Sequence, residues 1–268
     1  MKQFIWNTCI VIIVLALQGC KKEIDIDYKD IAPITVIEGR LTQQGANVRI
    51  TMTTPMDEPI NLTPLTDATV ILTDITAGSS QTLTINEQGD YVSLTAGITD
   101  HLYELNVKRG TDIYTARCEM PALVEISDIA FNWIKMPYDH VAVLQVTFSD
   151  FSPTITSYYW VRLYRNGEAY MWNLVTDLYA TDGIINDVFM TSRRDLDEED
   201  EATALYDGDV VSATVTPISR EMYDYLEAVS SDSNGPSLFS GSFCLGYFLA
   251  APVSETSIVF RPDSIPDY

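Results

Sequence analysis

Cys20 is the residue of this chain best placed for covalent chemistry. It closes Leu17-Gln18-Gly19-Cys20, after a mostly apolar run from Phe4 to Ala16 that Asn7 and Thr8 interrupt and Lys2 precedes. A short positive segment, a short apolar segment and small residues before a cut form a secretory signal. Gly19 before Cys20 suits a lipoprotein signal peptidase, so residues 1–19 are expected to be removed and the Cys20 thiol to carry lipid. Gln18 departs from the small or β-branched residue commoner at that place. The apolar run, at about 1.5 Å per residue, falls short of a hydrocarbon core about 30 Å thick. An ordinary signal with a chance cysteine and an uncleaved anchor are the alternatives. Several chains on Cys20 would anchor stably, as a single chain does not.

The other candidate chemistries are thinner. Nucleophilic catalysis needs a nucleophile, a base and an orienting group. Only His101 and His140 could serve as imidazole bases, and no Gly-x-Ser-x-Gly elbow occurs. Both are expected as surface histidines, His101 at a strand start and His140 in a turn beside Asp139. Two histidines without Cys-x-x-Cys do not make a structural zinc site. A carboxylate pair could hydrolyse glycans, but among 38 acidic residues pairs arise by chance. Asp195 to Glu201 is a run of acids without the EF-hand order; a solvated loop is expected there. Asp207-Gly208-Asp209 reads as a turn entering a strand. No cofactor or metal is expected.

Four cysteines leave one candidate pair. Cys9 goes with the signal and Cys20 with the lipid, so Cys118 and Cys244 remain, as two buried thiols or as a disulfide in an oxidising compartment.

The chain carries a formal charge of −22. Cleavage before Cys20 would leave 15 basic against 38 acidic residues, a charge of −23. Nucleic-acid binding needs basic surface to displace counterions, so that class is excluded. Anionic lipid is repelled too, which leaves the lipid on Cys20 as the membrane attachment. With 46% hydrophobic residues the chain can fill a core.

The elements that would position any site are strands. Residues 20–30 form a charged tether. Beyond it Ile34, Val36 and Glu38 alternate, as do Val48, Ile50 and Met52, around a glycine-containing turn at Gln43 to Ala46. Strands are predicted at Ala68–Thr73 and Tyr91–Leu94, and a hairpin at Leu102–Cys118 turning at Arg109-Gly110. Counting outward puts Leu105 opposite Tyr114 and Tyr103 opposite Ala116, so Tyr103, Leu105, Val107, Tyr114 and Ala116 share a buried face. Such spacing indicates a β-sandwich over 31–122, closing near Pro121.

A second β-rich domain is expected over 123–268. Strands are predicted at Ile129–Lys135, Val141–Phe148, Tyr158–Tyr164, Asp209–Thr216, Phe243–Ala250 and Ser257–Phe260. Asn166-Gly167 signals a type I′ hairpin. Counting out from it, Leu163 faces Tyr170, Val161 faces Trp172 and Tyr159 faces Leu174 on a core side. The other side carries Tyr158, Trp160, Arg162 and Tyr164 with Met171 and Asn173. Aromatic side chains interleaved with an arginine could stack on a sugar or peptide, which makes Tyr158, Trp160, Arg162 and Tyr164 the candidate ligand face. Burial under a helix or the first domain is the competing reading. Ser219 is a predicted N-cap for a helix over about 220–229, with Leu226 and Val229 buried.

The order of several short motifs resembles one family. Cys20, Lys22-Glu23-Ile24-Asp25-Ile26-Asp27, Val36-Ile37-Glu38-Gly39, Asp67-Ala68-Thr69-Val70, Gly89-Asp90-Tyr91, Tyr206-Asp207-Gly208-Asp209-Val210 and Leu245-Gly246-Tyr247-Phe248 follow one another as in domain-of-unknown-function family 4249. This is a group of Bacteroidota outer-membrane lipoproteins. The resemblance implies an all-β chain, with an N-terminal immunoglobulin-like or transthyretin-like sandwich followed by a second β-rich domain. It also implies a location near TonB-dependent receptors and nutrient uptake. It carries no catalytic residues. The expected function is therefore a non-enzymatic outer-membrane lipoprotein, binding a ligand or a TonB-dependent receptor. A surface glycan or peptide hydrolase using a carboxylate pair and a structural envelope module are the alternatives.

Overall fold

Alternation of apolar and polar side chains builds two sandwiches, each closed over its own core. The structure, a computed structural model, describes residues 32–55, 58–137, 140–150, 156–180, 182–193, 204–233 and 235–266. The chain is all-β with one α-helix among these residues. In the first sandwich one sheet runs, in spatial order, Leu245–Ala250, Thr35–Thr42, Gly45–Met52, Tyr91–Ser93 and Thr84–Ile85. Its facing sheet runs Ser240–Gly241, Asp112–Glu119, Leu102–Arg109, Thr69–Asp74 and Ser79–Thr82. Between them lie Ile37, Leu41, Val48, Ile50, Leu105 and Val107, all buried. Glu38 and Arg40, at alternate positions of their strand, point out of this sandwich.

The second sandwich pairs a sheet of Ile184–Arg193, His140–Ser149 and Ile126–Lys135 with one of Glu168–Thr176, Tyr158–Arg165, Val210–Ile218 and Ser254–Val259. Its core holds Leu144, Val146, Phe148, Tyr159, Val161, Leu163 and Val215. Burying such side chains contributes about 1.5–3 kcal/mol each.

The two predicted hairpins differ from the structure in instructive ways. The first turns at Gly110-Thr111, which pairs Leu105 with Ala116 and Val107 with Tyr114. A two-residue change of register preserves the face, so all five predicted side chains are buried in the first core. In the second, Asn166 (φ 51°) and Gly167 (φ 88°) form the expected left-handed turn. A bulge follows, because Tyr164 pairs with Ala169 but Leu163 with Met171, leaving Tyr170 as the extra residue. Everything beyond it moves by one place. Met171 and Asn173 therefore lie on the core side, opposite Leu163 and Val161, while Trp172 and Leu174 join Arg162 and Trp160 on the outer side.

The division at 122/123 does not separate the sandwiches. Ser240–Gly241 and Leu245–Ala250 leave the second half to complete the first sandwich, the latter running parallel to Thr35–Thr42. Phe239, Cys244, Phe248 and Ala250 enter its core. The physical reason is the exposed edges of Thr35–Thr42 and Asp112–Glu119, whose backbone groups these late strands satisfy. From Pro33 onward the chain gathers into one unit.

The helix, Arg220–Ser230, starts where Ser219 Oγ accepts the Met222 N–H at 3.2 Å. Met222, Leu226 and Ala228 are buried, whereas Val229 is half exposed because the returning chain at Gly235 covers Ala228 instead. Met222 and Leu226 form a third core with Trp160, Ile218, Tyr247, Leu249 and Ala251. This third core is the seam between the sandwiches.

The parallel pair is set by Gly246. Its φ is 103°, and a Cβ there would lie 2.0 Å from the Ile37 carbonyl oxygen. Gly246→Ala is expected to cost about 3 kcal/mol through strain and displacement of that strand. Gly110→Ala, at a positive φ but in open space, should cost about 1 kcal/mol. Urea unfolding of both variants tests this, and equal losses would refute the role given to the close approach. A second prediction concerns Asp187, buried in the second sandwich. Its Oδ1 accepts from Asn173 Nδ2 and the Val188 N–H, both at 3.0 Å, while Oδ2 has no partner. Burial raises its pKa, so the folded state holds a proton that the unfolded state has already released. Stability is then lost as pH rises through this window. Asp187→Asn should raise the Tm at pH 7 by about 3 °C, the shift that about 1 kcal/mol produces in a chain of this size. The gain should vanish below about pH 3, where native and unfolded carboxyls are both protonated. A gain independent of pH would point to packing instead.

Candidate functional site: an arginine–aromatic seam

Strand Tyr158–Arg165 alternates by rule, sending Tyr159, Val161 and Leu163 into the second core and Tyr158, Trp160, Arg162 and Tyr164 to the seam. The structure thus brings the four predicted residues to one face. That face is covered in its middle and open at its ends. Trp160 is 8% exposed, packed by Met222 and Leu226 of the helix and by Tyr247 and Leu249 of the first sandwich. Tyr158 lies against Tyr223, ring centroids 5.0 Å apart, and accepts a hydrogen bond from Arg220 Nη1 at 3.1 Å. Arg162 and Tyr164 are partly exposed, and Trp172, edge-on to Trp160 at 6.3 Å, is more so.

Sequence reasoning missed two members, Arg40 and Tyr247, because both come from the first sandwich. Arg40 donates from Nε and Nη2 to the Tyr247 hydroxyl at 2.9 and 2.8 Å. Its guanidinium carbon sits 5.6 Å from the Trp160 ring centroid, and that of Arg162 sits 4.3 Å away. Two cations therefore share one indole. Burial, and after it the charge of Arg40, pushes the Arg162 pKa down. Burial likewise pushes Tyr247 up, so its hydroxyl stays neutral and accepts.

The seam also gathers polar atoms without partners among the described residues. Trp160 Nε1, Arg162 Nε and Thr216 Oγ1 are fully buried and hydrogen-bonded to nothing there. Trp160 pairs with Thr216 across neighbouring strands, and Arg162 with Thr214 two residues along.

The other candidates are placed as follows. His101 Nδ1 lies 2.8 Å from Asp74 Oδ2. Burial opposes the Asp74 charge, but bonds from His101 and the Ala77 N–H outweigh it and hold its pKa below the usual range. Among the described residues no hydroxyl or thiol bonds the His101 ring, so base and orienting group meet without a nucleophile. Both histidines are half-buried rather than on open surface. His140 begins strand His140–Ser149 instead of sitting in a turn, because it pairs with Lys135. The run Asp195–Glu201 lies outside the described residues. Asp207-Gly208-Asp209 does form a turn into Val210–Ile218, with Asp209 accepting from the Tyr206 N–H and from Asn166, both at 2.8 Å. No group of metal-binding side chains occurs among the described residues.

Cys118 and Cys244 are both free thiols, and burial pushes each up to about 11. The candidate disulfide is not formed. Cys118 Sγ lies 3.6 Å from the Ala250 carbonyl oxygen, while Cys244 precedes the other end of strand Leu245–Ala250. Six extended residues span about 20 Å, far beyond the Cα separation of about 6 Å that a bridge accepts.

A cavity of about 620 Å³ opens beside the seam, lined by Leu174 to Thr176, Ile184 to Asp187 and Tyr223 among others. No helix among the described residues is long and apolar enough to cross a membrane.

No curated protein matches the chain. A family model described as Domain of unknown function (DUF4249) matches residues 21–257. That span takes in the first sandwich, the second up to the middle of strand Ser254–Val259, and every residue of the seam, and the chain belongs to the DUF4249 family.

Proposed function

We propose that this protein is a non-enzymatic, lipid-anchored binding module of the bacterial outer membrane, an accessory to a TonB-dependent receptor in nutrient uptake. The observation that carries the reading is the chemistry gathered at the seam. Guanidinium, indole and phenol groups meet there on rigid strands, and these groups recognise ligands rather than react with them. The Leu17-Gln18-Gly19-Cys20 segment supplies the attachment. The net charge of −22 disfavours adsorption to anionic lipid, so a covalent lipid does what surface charge cannot. Charged residues directly after Cys20, Lys21-Lys22-Glu23, fit an exported surface lipoprotein.

Expression in a Bacteroidota host with an alkyne fatty acid tests the anchor. The wild-type chain should take up label and sediment with outer membranes, and Cys20→Ala should do neither. A Cys20→Ala chain that is labelled and sediments like wild type would refute the assignment. Cross-linking in intact outer membranes, followed by affinity purification and mass spectrometry, should recover a TonB-dependent receptor with the wild-type chain. Recovery of no receptor would overturn the accessory role.

A further inference from the structure

We infer that the seam holds an oxyanion-binding site in which Arg162 and Arg40, both over the Trp160 ring, receive a carboxylate- or phosphate-bearing ligand. The inference rests on the binding-module reading and gives its ligand a chemistry.

The first argument is the use of arginine across the molecule. Arg49, Arg109, Arg117, Arg165, Arg220 and Arg261 each hold a carboxylate oxygen at 3.1 Å or closer. Arg40 and Arg162 hold none among the described residues, although 38 acidic residues are distributed along the chain. Glu38, two positions from Arg40, attracts it electrostatically without forming an ion pair. Leaving two half-buried guanidinium groups on one indole, close enough for the charge of Arg40 to act on Arg162, is unfavourable on both counts, by desolvation and by like charge.

The second argument is where the unused donors point. Arg162 makes no side-chain hydrogen bond to the described protein. Its Nε is buried, whereas its terminal nitrogens reach solvent. Arg40 spends Nε and Nη2 on Tyr247 and keeps Nη1 uncommitted. Three of the four buried side-chain atoms without partners among the described residues belong to this cluster, and two of them, Trp160 Nε1 and Arg162 Nε, can only donate. A positively charged site rich in N–H donors, with no carboxylate bonded to either arginine among the described residues, is complementary to a planar or tetrahedral oxyanion.

The third argument is rigidity. Trp160 is fixed by the third core, Arg162 lies over its ring, and Arg40 is held by Tyr247. Little side-chain freedom remains to be lost on binding, which favours affinity in a small site.

Isothermal titration of the full chain in detergent tests the assignment. Inorganic phosphate and succinate serve as probes at constant ionic strength, with chloride as the anion that lacks oxygens. At least one oxyanion should bind saturably, and the tighter of the two tells whether phosphate or carboxylate is the native group. Arg162→Met should weaken binding at least 10-fold, and Arg162→Lys, which keeps the charge but loses the fork, by a smaller factor. Arg117→Met, whose guanidinium is paired with Glu104 and takes no part in the arginine–indole cluster, should leave binding unchanged. Far-UV circular dichroism and Tm identify any variant that fails to fold, and Arg40→Lys then stands in for it. Absence of saturable binding by either oxyanion, or equal binding by wild type and folded Arg162 and Arg40 variants, overturns the assignment. Receptor capture by cross-linking with no oxyanion binding would sink this site alone and leave the binding-module reading intact. Oxyanion binding without receptor capture would support the site and refute the accessory role.

Discussion

The pairing of Thr35–Thr42 with Leu245–Ala250 is the contact on which the rest of this architecture depends. It joins strands about two hundred residues apart in sequence, in parallel, with Val36 against Leu245 and Leu41 against Ala250. It does three things together. It covers an edge that would otherwise expose unpaired backbone groups. It sends Phe248 and Ala250 into the first core and Tyr247 and Leu249 to the opposite face. It therefore gives the outer face of the first sandwich an apolar surface that the helix and Trp160 can cover. Loop closure over such a separation is entropically costly, and burial on both faces of the late strand offsets it.

From that pairing follows the electrostatic character of the seam. Tyr247 arrives beside Arg40 only because strand Leu245–Ala250 lies next to strand Thr35–Thr42. A neutral phenol, not a carboxylate, is what holds Arg40. The guanidinium is thereby oriented while its charge remains uncompensated. Arg162 is oriented differently, by stacking over an indole that is itself locked. Lysine would serve poorly in either place, since a point charge can neither fork onto a hydroxyl nor lie flat on a ring. The seam is thus a place where positive charge is positioned and left available, within a chain whose remaining charged surface is arranged to pair arginine with acid.

Much of this was legible in the sequence, and the parts that were not share a cause. The buried face of Tyr103, Leu105, Val107, Tyr114 and Ala116 survived a wrong register because the error was two residues. The outer partners of Arg162 did not, because one bulged residue, Tyr170, inverts everything beyond it. Ser219 announced the helix, as its side chain meets a backbone donor only a few residues on. No strand is predicted at Ile184–Arg193, where the structure has one. Its Ile185, Asp187 and Phe189 face inward, and a buried aspartate breaks the apolar alternation that marks a strand. Of the late strands that complete the first sandwich, Leu245–Ala250 is predicted as a strand but in the wrong half, and Ser240–Gly241 is predicted as loop, since pairing partners leave no local trace. Arg40 carries no local signal, because it follows Glu38 on the outward face of its strand, where a charged residue is ordinary.

The same reasoning bears on why the site sits between sandwiches and not on one. A sheet in water has one face committed to its core, and its outer face is ordinarily polar and solvated. Guanidinium groups on such a face are fully hydrated and bind anions weakly, because water competes and salt screens. Covering that face with a helix and a second sheet removes water from Trp160 and partly from Arg162, which strengthens each remaining electrostatic interaction. The cover is incomplete at Tyr164 and Trp172, so the charge stays reachable. A two-sandwich chain joined by a late strand therefore achieves what a single sandwich cannot. It makes a half-desolvated, rigid and positively charged position on a strongly acidic protein.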